Sequence, residues 1–162
     1  MAKRRSKRVR RRPKRRRAAR AGGAFRTPRA ISGPISAIGE AESALLALAR
    51  ELATPPAATN LAAALQHLSG AHAPDAPLPR AVARAWIEGR QDKTTALRLA
   101  WAREQVRLAL EEILTRALRR GPLTGPAETR AWLLLAAAES IAQEPPAAAA
   151  DRVKLILELA GA

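Results

Sequence analysis

Cysteine and tyrosine are missing from this chain, and phenylalanine and methionine occur once each. Without thiols there is neither a disulfide framework nor a thiolate zinc site. Valine is scarce as well, with four residues, and strands draw on β-branched and aromatic side chains. In their place stand 40 Ala and 21 Leu, the strongest helix formers, so an all-α fold is expected. Long apolar runs are also missing. The longest in the second half, Ala131 to Ala138, falls far short of the ~20 residues that a membrane span needs. The charged N-terminus has no apolar stretch behind it and does not read as a secretory signal. Heavy use of Arg, Ala, Gly and Pro matches a high-GC coding sequence and points to a bacterial, cytoplasmic protein.

Acidic residues are absent from the first 29 positions, which hold fifteen of the chain's 29 Lys and Arg. The remaining 14 basic residues face 14 acidic ones, so the formal charge of +15 belongs entirely to this arm. Like charges at this density repel one another, and such blocks serve as disordered interaction tails. Gly22, Gly23, Pro28, Gly33 and Pro34 then form a linker. Two regions follow: a basic arm and linker over 1–35, and one helical domain of about six helices over 36–162.

Within that domain, Ser36 is a good N-cap for a first helix to about Ala53. Ile38, Ala41, Leu45, Leu48 and Leu52 share one of its faces. Pro55 and Pro56 stop it. A second helix opens at Asn60 and is expected to end at Gly70; a third runs from Pro79 to Glu88, where Gly89 ends or kinks it. The fourth and longest, Asp92 to Arg119, carries a stripe of Leu99, Val106, Leu110, Ile113 and Ala117. A second strip, Leu97, Trp101, Leu108 and Leu114, lies beside it. A helix with two apolar strips has neighbours on two sides. Pro126 and Glu128 start a fifth helix to about Gln143, whose centre, Trp132 to Ala138, is apolar all round and is expected to be buried all round. Pro145 and Pro146 open a sixth that closes before Gly161.

From about residue 80 the chain resembles the C-terminal regulatory domain of TetR-type bacterial repressors. The resembling stretches are the long helix TTALRLAWAREQVRLALEEILTRALRRG, the loop PLTGPAE, the apolar TRAWLLLAAAESIA and the closing DRVKLILELAGA. The resemblance is one of pattern and covers about half the chain. It implies a homodimer through a four-helix bundle and a small-molecule pocket. The N-terminal helix-turn-helix of that family has no counterpart in residues 1–35. Three readings of that departure stand: a member without its DNA-reading domain, a truncated gene, or a start placed upstream of the true frame.

The arm has the clearest chemistry. Lys3, Arg4, Arg5, Lys7, Arg8, Arg10, Arg11, Arg12, Lys14, Arg15, Arg16, Arg17 and Arg20 can each engage phosphate oxygens, the arginines as two-pronged forks. No aromatic precedes Phe25, so contact with the nucleic-acid backbone is expected without base stacking. Anionic lipid ranks lower, because no amphipathic apolar face accompanies the charges; a solubilising or untranslated leader is the bland alternative. For the pocket, Trp86 and Trp101 on successive helices are expected to line an apolar cavity, with Gln66 or His67 as polar contacts. Plain core packing is the alternative for the tryptophans. His67 and His72 are the only histidines, and with only Asp75 nearby they make no convergent metal site. Glu111 and Glu112 project about 100° apart and cannot oppose one another as acid and base; Glu112 is expected to pair with Arg116. No phosphate loop, nucleophile elbow or HExxH is present, and no enzyme or cofactor is expected. Leu110, Ile113, Leu114, Ala117, Leu134, Ala138 and Ile141 are the expected dimer interface.

The expected function is that of a TetR-like regulatory protein, a dimer that binds a small apolar ligand and touches nucleic acid through its arm, near the nucleoid. The runner-up is a structural nucleic-acid-binding protein whose helical domain only doubles the arm. A cavity among the first four helices favours the former; solid packing favours the latter.

Overall fold

The computed structural model describes residues 36–90, 92–119 and 125–161. The arm and linker, 1–35, and every arm residue named above lie outside the described residues. Among those described there is no strand, and six α-helices follow in order: α1 (Ala37–Leu52), α2 (Leu61–Ala71), α3 (Pro77–Glu88), α4 (Lys93–Leu118), α5 (Ala127–Ile141) and α6 (Pro146–Ala160). A short 3₁₀ turn, Ala57–Thr59, bridges α1 and α2.

Side-chain caps set three of the helix starts. Ser36 Oγ accepts the Gly39 amide at 3.3 Å, Asn60 Oδ1 that of Ala63 at 3.2 Å and Asp92 Oδ1 that of Thr94 at 2.9 Å. Each satisfies an amide that the helix itself leaves unpaired. The Asp92 carboxyl, which also accepts the Thr95 hydroxyl at 2.6 Å, is held below its ordinary pKa, first by Thr95 and then by the Thr94 amide. Prolines open α3 and α6, where a missing N–H costs nothing. Gly161 closes α6 with a left-handed φ of 67°, a conformation that glycine adopts without a steric penalty.

Some boundaries differ from expectation. Gly70 does not end α2, which continues to Ala71 and is capped by His72. α3 starts two residues early, at Pro77, and α5 stops at Ile141. Gly89 ends α3 rather than kinking it.

α1 packs on α3 and α4, α4 on α5 and α5 on α6, while α2 touches α1, α4, α5 and α6. That central place explains why Ala64, Leu65 and Leu68 of α2 are fully buried. The main core joins them to Leu45, Leu48 and Leu52 of α1, Val106, Leu110 and Leu114 of α4, and Leu134, Leu135 and Ala138 of α5. Each fully buried Leu or Val contributes about 1.5–3 kcal/mol. A separate small cluster, Ala41, Ala81, Ala85 and Leu99, with Ile38 and Val82 against it, joins α1, α3 and α4.

This packing corrects the expected dimer interface. Leu110, Ile113, Leu114, Leu134, Ala138 and Ile141 are each at most 6% exposed, inside the core of a single chain, and Ala117 is half-buried. One chain suffices to cover them because α2 fills the space that the sequence left open. The centre of α5 is not buried all round either. Its inner face is Ala131, Leu134, Leu135, Ala138 and Ile141, while Trp132 and Leu133 are about half exposed. On α4, Leu114 of the second strip is buried, but Leu97, Trp101 and Leu108 face outward.

Gly89 shows how tightly α3 meets the start of α4. A Cβ there would collide with Thr95 Cγ2 and approach the Ala85 carbonyl to 3.0 Å. Thr95 is buried and its hydroxyl is tied to Asp92, so it cannot turn aside. Gly89→Ala is expected to cost about 1–3 kcal/mol, as overpacking does, read by urea unfolding. Adding Thr95→Ser, which removes Cγ2 and keeps the hydroxyl, should recover part of that loss. A Gly89→Ala protein as stable as the parent would show that the contact is soft.

Candidate functional site

The end of α2 and the face of α3 bring several side chains to one cleft, of about 720 Å³, lined from α1, α3, α4 and α5 and by His72. One wall is apolar: Leu45, Leu78, Val82 and Leu99, with Trp86 at 47% exposure offering a ring to the space. Leu78, Val82 and Trp86 recur at every fourth residue, so they share one face of α3.

The other end is polar. His72 is 5% exposed, and its Nδ1 lies 2.9 Å from the Leu68 carbonyl oxygen. A carbonyl only accepts, so Nδ1 carries the proton and donates. Burial pushes the His72 pKa down, favouring the neutral ring; Leu68 and Glu139 oppose that shift, and Arg103 adds to it. Arg103 of α4 grips Glu139 of α5 as a fork, Nε to Oε1 at 2.6 Å and Nη2 to Oε2 at 2.8 Å. The bond to Glu139 raises the Arg103 pKa. Both side chains remain about one-third exposed. The cleft therefore pairs an apolar wall with a neutral imidazole and a guanidinium–carboxylate pair, a mixture typical of small-molecule sites.

Of the four residues expected at the pocket, Trp86 lines this cleft and three do not. Trp101, 54% exposed, stands on the outer side of α4 beside a shallow groove shared with Leu46, Ala53 and Leu108. Gln66 is exposed on α2. His67 is exposed too, and its Nε2 bonds Glu51 Oε2 at 2.7 Å beside Pro55 and Pro56. The reason is helical phase: Gln66 and His67 fall between the inward positions Leu65 and Leu68. His72 and the Arg103–Glu139 pair were missed. The pair spans 36 residues, a separation at which sequence offers no pairing signal.

Other charges on α4 are engaged locally. Arg107, only 11% exposed, is clasped by Glu104 and Glu111, both at 2.7 Å. Glu112 pairs with Arg116 as its spacing suggested, and Arg116 also donates to the Ala58 carbonyl at 2.7 Å. Among the described residues, no three His, Asp or Glu side chains converge in a way that could hold a metal. No helix of these residues is long and apolar enough to cross a membrane. No protein-family model, no curated protein and no solved structure matches this chain.

Proposed function

We propose that this chain is a TetR-like regulatory protein whose helical domain binds a small, largely apolar molecule, and whose arm touches nucleic-acid phosphates. The observation that carries this reading is the 720 Å³ cleft, within the ~300–1,000 Å³ of small-molecule sites. A module that only doubled the arm would have no use for such a space beside a buried histidine. The reading is non-enzymatic: the polar side chains lining the cleft are His72, the Arg103–Glu139 pair, Glu104, which Arg107 holds, and Gln143, with no hydroxyl or amine nucleophile among them.

The proposed dimer moves to a different surface from the one the sequence suggested. Leu97, Trp101 and Leu108 form a stripe along the outside of α4, where Trp101 and Leu108 border its groove with α1, and Trp132 and Leu133 stand exposed on α5. Each of the two tryptophans still exposes about half its surface, apolar area of the kind that an interface of ~800 Å² per partner covers.

N-phenyl-1-naphthylamine, a neutral apolar dye that brightens in dry surroundings, tests the cleft. Saturable binding of one dye per chain is expected. Ala100→Trp should abolish it, because Ala100 is an exposed position on the cleft wall and an indole there fills the space without disturbing the core. Dye binding that survives Ala100→Trp unchanged would place the dye elsewhere and remove the reading.

A further inference from the structure

We infer that the cleft is built for a neutral hydroxyl compound, its OH lodged between His72 and Arg103 and its apolar body along Leu78, Val82, Leu99 and Trp86. This deepens the ligand-binding reading and rests on it. The imidazole of His72 is pinned at one edge to its own helix, through Nδ1–H and the Leu68 carbonyl. The opposite edge, carrying Nε2, therefore faces away from α2, and His72 lines the cleft. Nε2 of a neutral ring is a lone-pair acceptor, and among the described residues nothing donates to it. Arg103 commits Nε and Nη2 to Glu139, which leaves the Nη1 hydrogens without a bond among the described residues. His72 and Arg103 both line the polar end of the cleft, along with Glu104 and Gln143, and Glu104 is already held by Arg107, so the cleft offers one ring acceptor and one guanidinium donor beside its apolar wall.

Three ligand chemistries can be weighed against that pair. A carboxylate has no proton for Nε2 and brings a negative charge beside Glu139, which already holds Arg103. A hydrocarbon fills the apolar wall but takes water from Nε2 and Nη1 without replacing its bonds, and unpaired buried groups are costly. A hydroxyl satisfies both: it donates to Nε2 and accepts from Nη1. Sites built to bond a hydroxyl discriminate strongly against analogues that lack it. Trp86, with its half-exposed ring at the apolar end, suits an aromatic body, so a phenol with a short alkyl tail fits the whole space. A phenol keeps its proton at neutral pH, with a pKa near 10.

The test is calorimetric titration of the full chain at neutral pH with 4-butylphenol, 4-butylbenzoate and 4-butyltoluene, three ligands of one shape. The phenol is expected to bind one per chain, and the other two about tenfold or more weakly, the loss expected for an unmade hydrogen bond. His72→Phe should take away most of the phenol's advantage over the toluene, leaving what the bond from Arg103 supplies, and should leave the toluene unchanged. Equal binding of all three, or tightest binding of the benzoate, overturns the hydroxyl assignment and leaves the cleft a ligand site. If none of the three binds or displaces N-phenyl-1-naphthylamine, the ligand-binding reading falls and takes this inference with it.

Discussion

Replacing Leu134 by arginine is expected to unfold the domain or strip most of its stability, and not to release a folded monomer. Leu134 is 6% exposed in the core shared by α1, α2, α4 and α5. A guanidinium there loses the leucine's burial and gains no carboxylate partner. An uncompensated buried charge costs about 3–5 kcal/mol, against a total stability of about 5–15 kcal/mol for a domain. Circular dichroism should show a collapsed thermal transition at every protein concentration. Trp132→Arg, two residues away on the outer face of α5, should leave that transition where it was, because surface changes stay within about 0.5 kcal/mol. If the chain pairs through this exposed surface, as proposed, the parent should sediment as a dimer and the Trp132→Arg chain as a monomer. A Leu134→Arg protein with parental helicity and a cooperative transition would mean that Leu134 belongs to an interface after all.

The second large effect concerns the arm. The first 29 residues carry fifteen basic side chains and no acid. If six or more phosphates are neutralised, raising salt from 50 to 200 mM should weaken binding to duplex DNA or RNA about a thousandfold, because the affinity comes from released counterions. Sequence should matter little, since phosphate contacts carry none of its information. Removing residues 1–29 should abolish binding, because the rest of the chain is electrically balanced. Filter binding with two unrelated duplexes, on both forms of the protein, reads all three effects. Undiminished binding by the shortened chain would refute the assignment of phosphate contact to the arm.

The helices themselves were legible because their signals are local. Ser36, Asn60 and Asp92 act within three residues of themselves, and the prolines before α3 and α6 act through their own φ. Partnership between helices was less legible. The fourth helix was read as having two apolar strips, but Leu114, assigned to the second, belongs to the buried face, and which strip a neighbour covers depends on α2, an eleven-residue helix whose central place no periodicity reveals. Once α2 sits against α1, α4, α5 and α6, Leu110, Ile113 and Leu114 are spoken for, and the exposed strip is the one with Trp101. The cleft was half legible for the same reason. Trp86 was placed by its own helix phase. His72 was weighed only as a metal ligand and set aside, while its position is set by α2 running one residue past Gly70. The Arg103–Glu139 fork needed the antiparallel packing of α4 on α5 before either residue had a partner.

The small cluster that joins α3 to α1 and α4 has one further consequence. Its buried members are three alanines and a single leucine, and a methyl contributes far less than an isobutyl group, at about 0.8 kcal/mol per buried carbon. The α2 centre, with Leu65 and Leu68 fully enclosed, is held much more strongly. Parting α3 from the small cluster is therefore expected to cost less free energy than global unfolding. That helix is also one wall of the cleft, so a bound guest would brace an element held largely by small side chains. Occupancy would be felt as a slowing of amide exchange along Pro77–Glu88, with the remaining helices keeping the same backbone path.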